Sequence, residues 1–270
     1  MKGHRLQIEH GLFAAVGGLL VLFLLLPLVA LFHRTSISDF EVGLRHPLVG
    51  AALRLSLFTT LVSLGIVILF GTPLAWALAR SEGRFARTVE TAMQLPIVIP
   101  PAVAGIALLF AFGSRGLLAG WLYPKGWSVV FTTTAVVMAE IFVSAPFFVQ
   151  AALSAFRRVD AKLVIVARTF GASPLQVFFR VAIPLAARGL IAGAAMSWAR
   201  SLGEFGATLM FAGNLQGQTQ TLPLAIYTAL ESDLRAAQAL SVILVVVAFL
   251  LLMSVRAVLR RSLQGVEPWA

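Results

Sequence analysis

Six runs of apolar residues, each long enough to cross the hydrocarbon core of a bilayer as a helix, dictate what this chain can fold into. They cover about 11–32, 53–79, 95–113, 129–153, 185–212 and 236–258. A helix satisfies its backbone hydrogen bonds within one segment, so runs of this length predict an all-α, polytopic membrane protein with six transmembrane helices. Composition agrees, because 59% of the 270 residues are hydrophobic and only 12% are charged, more apolar matter than a soluble core of this length requires. The first run is too long for a signal-peptide core and lacks a small-residue cleavage site, so it is expected to stay as the first helix.

The runs are punctuated. Gly71 and Pro73 predict a kink in the second. The third opens on Leu95-Pro96 and Pro100-Pro101, which predicts a bent helix start and leaves open a part in a gate. The fourth carries Glu140 and Pro146, and the fifth Gly189, Gly193, Arg200, Gly203, Glu204 and Gly206. With the N-terminus in the cytoplasm, fourteen Lys and Arg fall in inside segments and six in outside ones, leaving Arg200 within the membrane. That imbalance predicts that both termini are cytoplasmic. Loops 33–52 and 213–235 are then the longest outside segments, and the second reads either as a landing surface for an external partner or as a solvated loop.

Between the fourth and fifth runs lies an amphipathic stretch, Val159 to Pro184, on the predicted cytoplasmic side. Asp160 predicts a helix cap, and Gly171 a left-handed helix end. Ser173, Pro174 and Gln176 spell a second helix start: cap, proline at the first position, and a capping-box partner. Leu175, Phe178, Phe179 and Ala182 fall on one helical stripe, and Pro184 is expected to end the segment. A greasy helix–turn–helix with basic flanks on a membrane surface is a grip for another protein.

Charges inside the apolar runs are the other candidates. Arg200 and Glu204 lie four apart, so on one helix they share a face and can pair. A charge at mid-membrane costs about 2.5–3.5 kcal/mol by insertion measurements, so the pair should face the bundle interior or a watery path. It either gates or steers an anion, or fixes helix packing. Gly189 and Gly193 have the GxxxG spacing that permits close helix contact. Glu140 either pairs with Arg200 across helices or sits protonated in the packing.

Several chemistries are excluded. The net charge of +10 is spread in short clusters between apolar runs rather than gathered in a patch, which argues against nucleic acid. With no cysteine there is no disulfide or thiol chemistry. The four histidines, His4, His10, His33 and His46, form no HExxH, so no metal site is expected. No GxxxxGK[ST] occurs and the only lysines are Lys2, Lys125 and Lys162, so the chain does not bind ATP in the P-loop manner. No nucleophile–base set is evident, so no catalytic residue is assigned and a membrane-embedded enzyme is the weakest reading.

The residues of the amphipathic stretch resemble the coupling loop of ABC importer permeases. The likeness lies in Ala167-Arg168-Thr169 ahead of Gly171, nine intervening residues, and a closing apolar turn ending in Ile183-Pro184. Ile165 and Val166 stand where the family has Glu and Ala, and Ile183 where Leu is commoner. The resemblance implies that Asp160, Ala167, Arg168, Gly171, Ala172, Ser173, Pro174 and Pro184 belong to coupling helices that dock on a cytoplasmic ATPase. A second stretch, Trp198 to Asn214 with Thr221 to Tyr227, resembles the permeases of molybdate importers. Sulfate and tungstate permeases share much of its Gly203-Glu204-Phe205-Gly206 core. The likeness runs over roughly 50–258. It implies a homodimer with the path at the dimer axis, two ATPase subunits that bind ATP and Mg, and an external substrate-binding protein. No cofactor is implied in this chain itself.

The expected organisation is an N-terminal helix and external loop over 1–50, a permease domain over 51–260 and a short cytoplasmic tail over 261–270, in the inner membrane of a bacterium or archaeon. The expected function is ATP-driven import of a tetrahedral oxyanion, most specifically molybdate. Glu140, Arg200, Gly203, Glu204 and Gly206 are the candidates for its path. The alternatives are a sulfate or tungstate permease of the same build and a stand-alone carrier with Glu140 and Glu204 as proton sites.

Overall fold

The computed structural model describes residues 2–264, whose regular secondary structure is all helical, with no strand among them. In chain order the helices are α1 (Lys2–Arg34), α2 (Ile37–Leu44), α3 (Pro47–Ala79), α4 (Arg84–Ala92), α5 (Leu95–Val98), α6 (Pro101–Phe112), α7 (Ala119–Leu122), α8 (Thr133–Arg157), α9 (Ala161–Thr169), α10 (Pro174–Val177), α11 (Ile183–Leu202), α12 (Gly206–Ala212), α13 (Leu222–Ser232) and α14 (Leu234–Gln264). Among the described residues five helical stretches are long and apolar enough to span a membrane, and a bent pair, Arg84–Val98 with Pro101–Phe112, is long and apolar enough only when its two arms are taken together. The boundary expected at 50/51 falls inside α3. The tail expected from 261 is helical to Gln264, and 265–270 lie outside the described residues.

The centre of the bundle is α8, packed on α3 and α11. Small residues make this possible. Gly193 lies against α8 so closely that a Cβ on it would stand 2.8 Å from the Ala151 Cβ, and Gly189 meets Ala155 in the same way. The GxxxG spacing therefore brings α11 onto α8. Gly71 gives α3 the same access, since a Cβ there would lie 2.8 Å from the Phe148 ring. Pro73 and Pro146 are both accommodated inside continuous helices.

Two runs expected as single spans are broken. The third turns through 116° at Ile99-Pro100, where both backbones are extended, so the prolines make a corner rather than a kinked start. Its apolar arm α6 has 12 residues, only about 18 Å of helix and too short to cross alone. The fifth run stops at Leu202, turns over Gly203–Phe205 and resumes as α12. The two breaks meet: a Cβ on Gly206 would lie 2.9 Å from the Pro101 Cβ, and one on Gly105 2.7 Å from the Ala207 carbonyl oxygen.

The segments expected as outer loops also fold. α2 follows α1, and α13 is buried through Leu222, Leu224, Ala225 and Ala229. Within an apolar cluster, α13 packs with Val49 and Ala52 of α3 and Ala236, Ala237, Leu240 and Ile243 of α14. A wholly solvated loop over 213–235 is thus corrected. Leu222, Ala225 and Ala229 recur on one helical face, and that face is covered.

Candidate functional site: the elbow and the paired helix breaks

The elbow is built by local chemistry. Asp160 caps α9 by accepting from the Lys162 N–H at 2.8 Å. Gly171 has φ +83°, the left-handed geometry that ends the helix, and a Cβ there would meet nothing within 4 Å, so conformation alone demands glycine. Ser173 and Gln176 close a reciprocal capping box at 3.2 and 2.8 Å around Pro174. Ala167, Gly171, Ala172 and Gln176 line a notch between the arms.

The expected single stripe on the second arm divides. Val177 and Ala182 are buried, Phe178 is half-buried, and Leu175 and Phe179 are exposed. The cause is a π-turn over Phe178–Ala182, in which the Ile183 N–H reaches the Phe178 carbonyl. Pro184 follows directly. Its ring would crowd the carbonyl four residues back in a regular helix, and the wider turn relieves that contact. Pro184 is therefore not an exit: the second arm runs unbroken from Pro174 to Leu202 into the membrane. At its root Phe178 packs on Trp76 of α3 and Phe156 of α8, with ring centroids 6.0 and 6.3 Å away. The tip keeps large apolar side chains in the open, Phe170 at 87% and Leu175 at 69% exposure, among the exposed Lys162, Arg168 and Arg180.

The intramembrane charges sort differently from expectation. Arg200 and Glu204 do pair, at 2.7 Å, but on either side of a helix end rather than on one helix. Glu204 Oε1 accepts the Ala207 N–H of α12 at 2.7 Å, leaving Oε2 for Arg200. Glu204 is fully buried while Arg200 keeps about a quarter of its side chain open (27%), so the arginine alone borders open space. Gly206 is required by the contact with α6. Gly203, with φ −91° and only the Ala199 carbonyl within 4 Å, is explained by nothing in its surroundings.

Glu140 makes no bond to Arg200. It is buried between α8 and α3, where Thr59 and Ser63 donate to its two oxygens, each at 2.8 Å. This belongs to a polar stripe on α3 that sequence reasoning overlooked, although Ser56, Thr59, Thr60 and Ser63 carry the helical spacing of one face. Thr60 accepts the Trp198 Nε1–H of α11 at 3.1 Å, and Ser56 accepts the Leu222 N–H of α13 at 2.7 Å. One face of α3 thereby joins three other helices.

A bundle of apolar spans, two of them broken and touching at their breaks, with an oily elbow standing out at one end, is a polytopic membrane protein with a surface open to a partner. Comparison gives the family: the chain belongs to the binding-protein-dependent transport system inner membrane components, whose family model matches residues 68–265. It is thus a multi-pass inner membrane protein and a transport subunit, not an enzyme. It is 46% identical over 237 residues to the molybdenum transport system permease protein ModB of Mycobacterium tuberculosis, covering 88% of this chain and 90% of the relative. It is 39% identical over 236 residues to the molybdate/tungstate transport system permease protein WtpB of Pyrococcus abyssi, covering 86% and 88%. Among solved structures, a bacterial ABC transporter that imports alginate aligns over 96% of both chains with TM-score 0.71 at 18% identity. An inward-facing methionine ABC transporter aligns over 79% of this chain and 95% of its own with TM-score 0.62 at 20% identity. Both share the fold.

Proposed function

We propose that this chain is the permease subunit of an ATP-driven importer of a tetrahedral oxyanion, molybdate, and that it acts as a homodimer. The exposed apolar elbow carries the proposal. A surface holding Phe170 and Leu175 in the open, on arms fixed by two caps and an aromatic root, is made to be covered by a partner. The partner is one of two cytoplasmic ATPase subunits, which bind ATP and Mg, and both termini of the chain lie on that same side. An external binding protein delivers the anion at the opposite end. Arg200 and Gly203 border the path, Glu204 and Gly206 hold the helix break behind them, and Glu140 packs between α3 and α8.

Movement follows from differential contact. Nucleotide shifts the helices only if the ATPase holds the elbow differently in its two states. Because the second arm continues into α11 without interruption, a displacement at Leu175 is carried to Leu202, where the helix ends beside Arg200. The choice of molybdate rests on the names of the relatives, one of which couples it with tungstate.

Reconstitution tests this. The chain, its genomic-neighbour ATPase and its binding protein are placed in proteoliposomes, and uptake of labelled molybdate is followed with and without ATP. ATP-dependent uptake that tungstate suppresses more strongly than sulfate supports the proposal. Sulfate competing best reassigns the anion, and pH-coupled flux by the chain alone overturns the ATP-driven reading.

A further inference from the structure

An ion pair outside the elbow and outside the path ties one to the other. Arg157, the last residue of α8, donates through Nη1 to Glu90 Oε1 at 3.2 Å and through Nη2 to Oε2 at 2.8 Å, across 67 positions of sequence. Arg157 stands three residues before the cap of the elbow, and Glu90 lies on α4, the arm that leads into the 116° corner. The same α4 lays Ala86 and Val89, and its C-cap residue Met93, on the apolar cluster that holds Phe156 and Val159, the residues on either side of Arg157 and Arg158. Beyond the corner, α6 is seated against Gly206 and Ala207 at the start of α12.

We infer that Arg157 and Glu90 form the strut that makes the broken third span move with the elbow, so that they are positioning residues for transport. The inference rests on the importer reading above. Apolar contact through residues as small as Ala86 resists separation but permits sliding. A two-pronged guanidinium–carboxylate pair fixes both distance and rotation. Half of the Arg157 side chain is open to solvent, so the pair adds little to stability, and its value lies in alignment. With it, a tilt of the elbow turns α4, swings the corner and shifts α6 against α12. Without it, the elbow moves α11 alone and the two breaks fall out of step.

The test uses the reconstituted complex with its ATPase and binding protein. It reads anions imported per ATP hydrolysed, a ratio that loss of folded protein leaves unchanged. Glu82 lines the same cleft as Arg157 and Glu90 but forms no ion pair among the described residues, so Glu82→Gln is the charge-matched control. Glu90→Gln and Arg157→Gln should each lower the ratio about threefold or more while ATP hydrolysis continues. The reversed pair, Glu90→Arg with Arg157→Glu, should restore most of it, and Glu82→Gln should leave it at the parent value. Single variants with the parent ratio, a reversed pair as uncoupled as the singles, or an equal fall in Glu82→Gln would overturn the strut. Absence of ATP-driven uptake in the unsubstituted complex would instead sink the importer reading, and the strut with it.

Discussion

Gly206 stands against Pro101 with no room for a side chain: a Cβ on it would lie 2.9 Å from the proline Cβ and 3.1 Å from the Ala102 nitrogen. Two interrupted helices touch here, and neither backbone can retreat without opening its own break. Gly206→Val should therefore destabilise the bundle by about 1–3 kcal/mol, as overpacking does. Thermal unfolding in detergent would show it as a lower midpoint. Gly203→Ala, three residues away in open surroundings and ordinary backbone geometry, should leave the midpoint unchanged.

Gly171→Val probes the elbow without touching the core. The left-handed backbone costs a side-chain-bearing residue roughly 1–2 kcal/mol, and nothing else near the site changes. Insertion and folding should persist while ATP-dependent uptake is lost. Gly171→Asn, which tolerates that backbone better, should retain more uptake than the valine variant.

Glu140→Gln should be mild and Glu140→Leu harmful. Glutamine keeps an acceptor for one hydroxyl, and Ser63 can turn its own proton to the Val137 carbonyl, 3.2 Å away. Leucine removes the carboxylate from both hydroxyls: Ser63 keeps the Val137 carbonyl, but Thr59 is left with only the long contact to the Ser56 carbonyl at 3.4 Å, at about 1–3 kcal/mol for a buried group poorly paired. The comparison of unfolding midpoints decides it.

Glu204→Gln keeps an oxygen for the Ala207 N–H but releases Arg200. The cap of α12 should survive, and stability should fall by about 1–3 kcal/mol because the arginine loses its only ion-pair partner among the described residues. Transport per folded molecule should be retained. Uptake that collapses in fully folded protein would make the pair a gate instead.

What could be foreseen in the sequence follows the range of the interactions. Asp160, Gly171 and the Ser173–Gln176 box act within three residues, so the elbow was legible from spelling alone. GxxxG foretold that α11 presses on a neighbour but not that the neighbour is Ala151 and Ala155 of α8. Hydropathy averages over a window wider than the three residues Gly203–Phe205, so it joined α11 and α12 into one span. It also could not tell a proline-kinked start from a 116° corner at Ile99-Pro100. The partners of Glu140 are 81 and 77 positions away, and Glu90, the partner of Arg157, is 67 away, distances over which spacing carries no information. The π-turn ahead of Pro184 adjusts one residue of register, finer than a hydrophobic stripe resolves.

The most direct measurement uses the absence of native cysteine, which makes a single introduced thiol the only one in the chain. Leu175→Cys puts that thiol on the exposed second arm of the elbow. A short bifunctional cross-linker is applied to the reconstituted complex during ATP turnover, and a membrane-impermeant maleimide to sealed cells. The expected result is an adduct with the ATPase and no labelling from outside. Labelling from outside, or a thiol that joins nothing that hydrolyses nucleotide, would contradict the account.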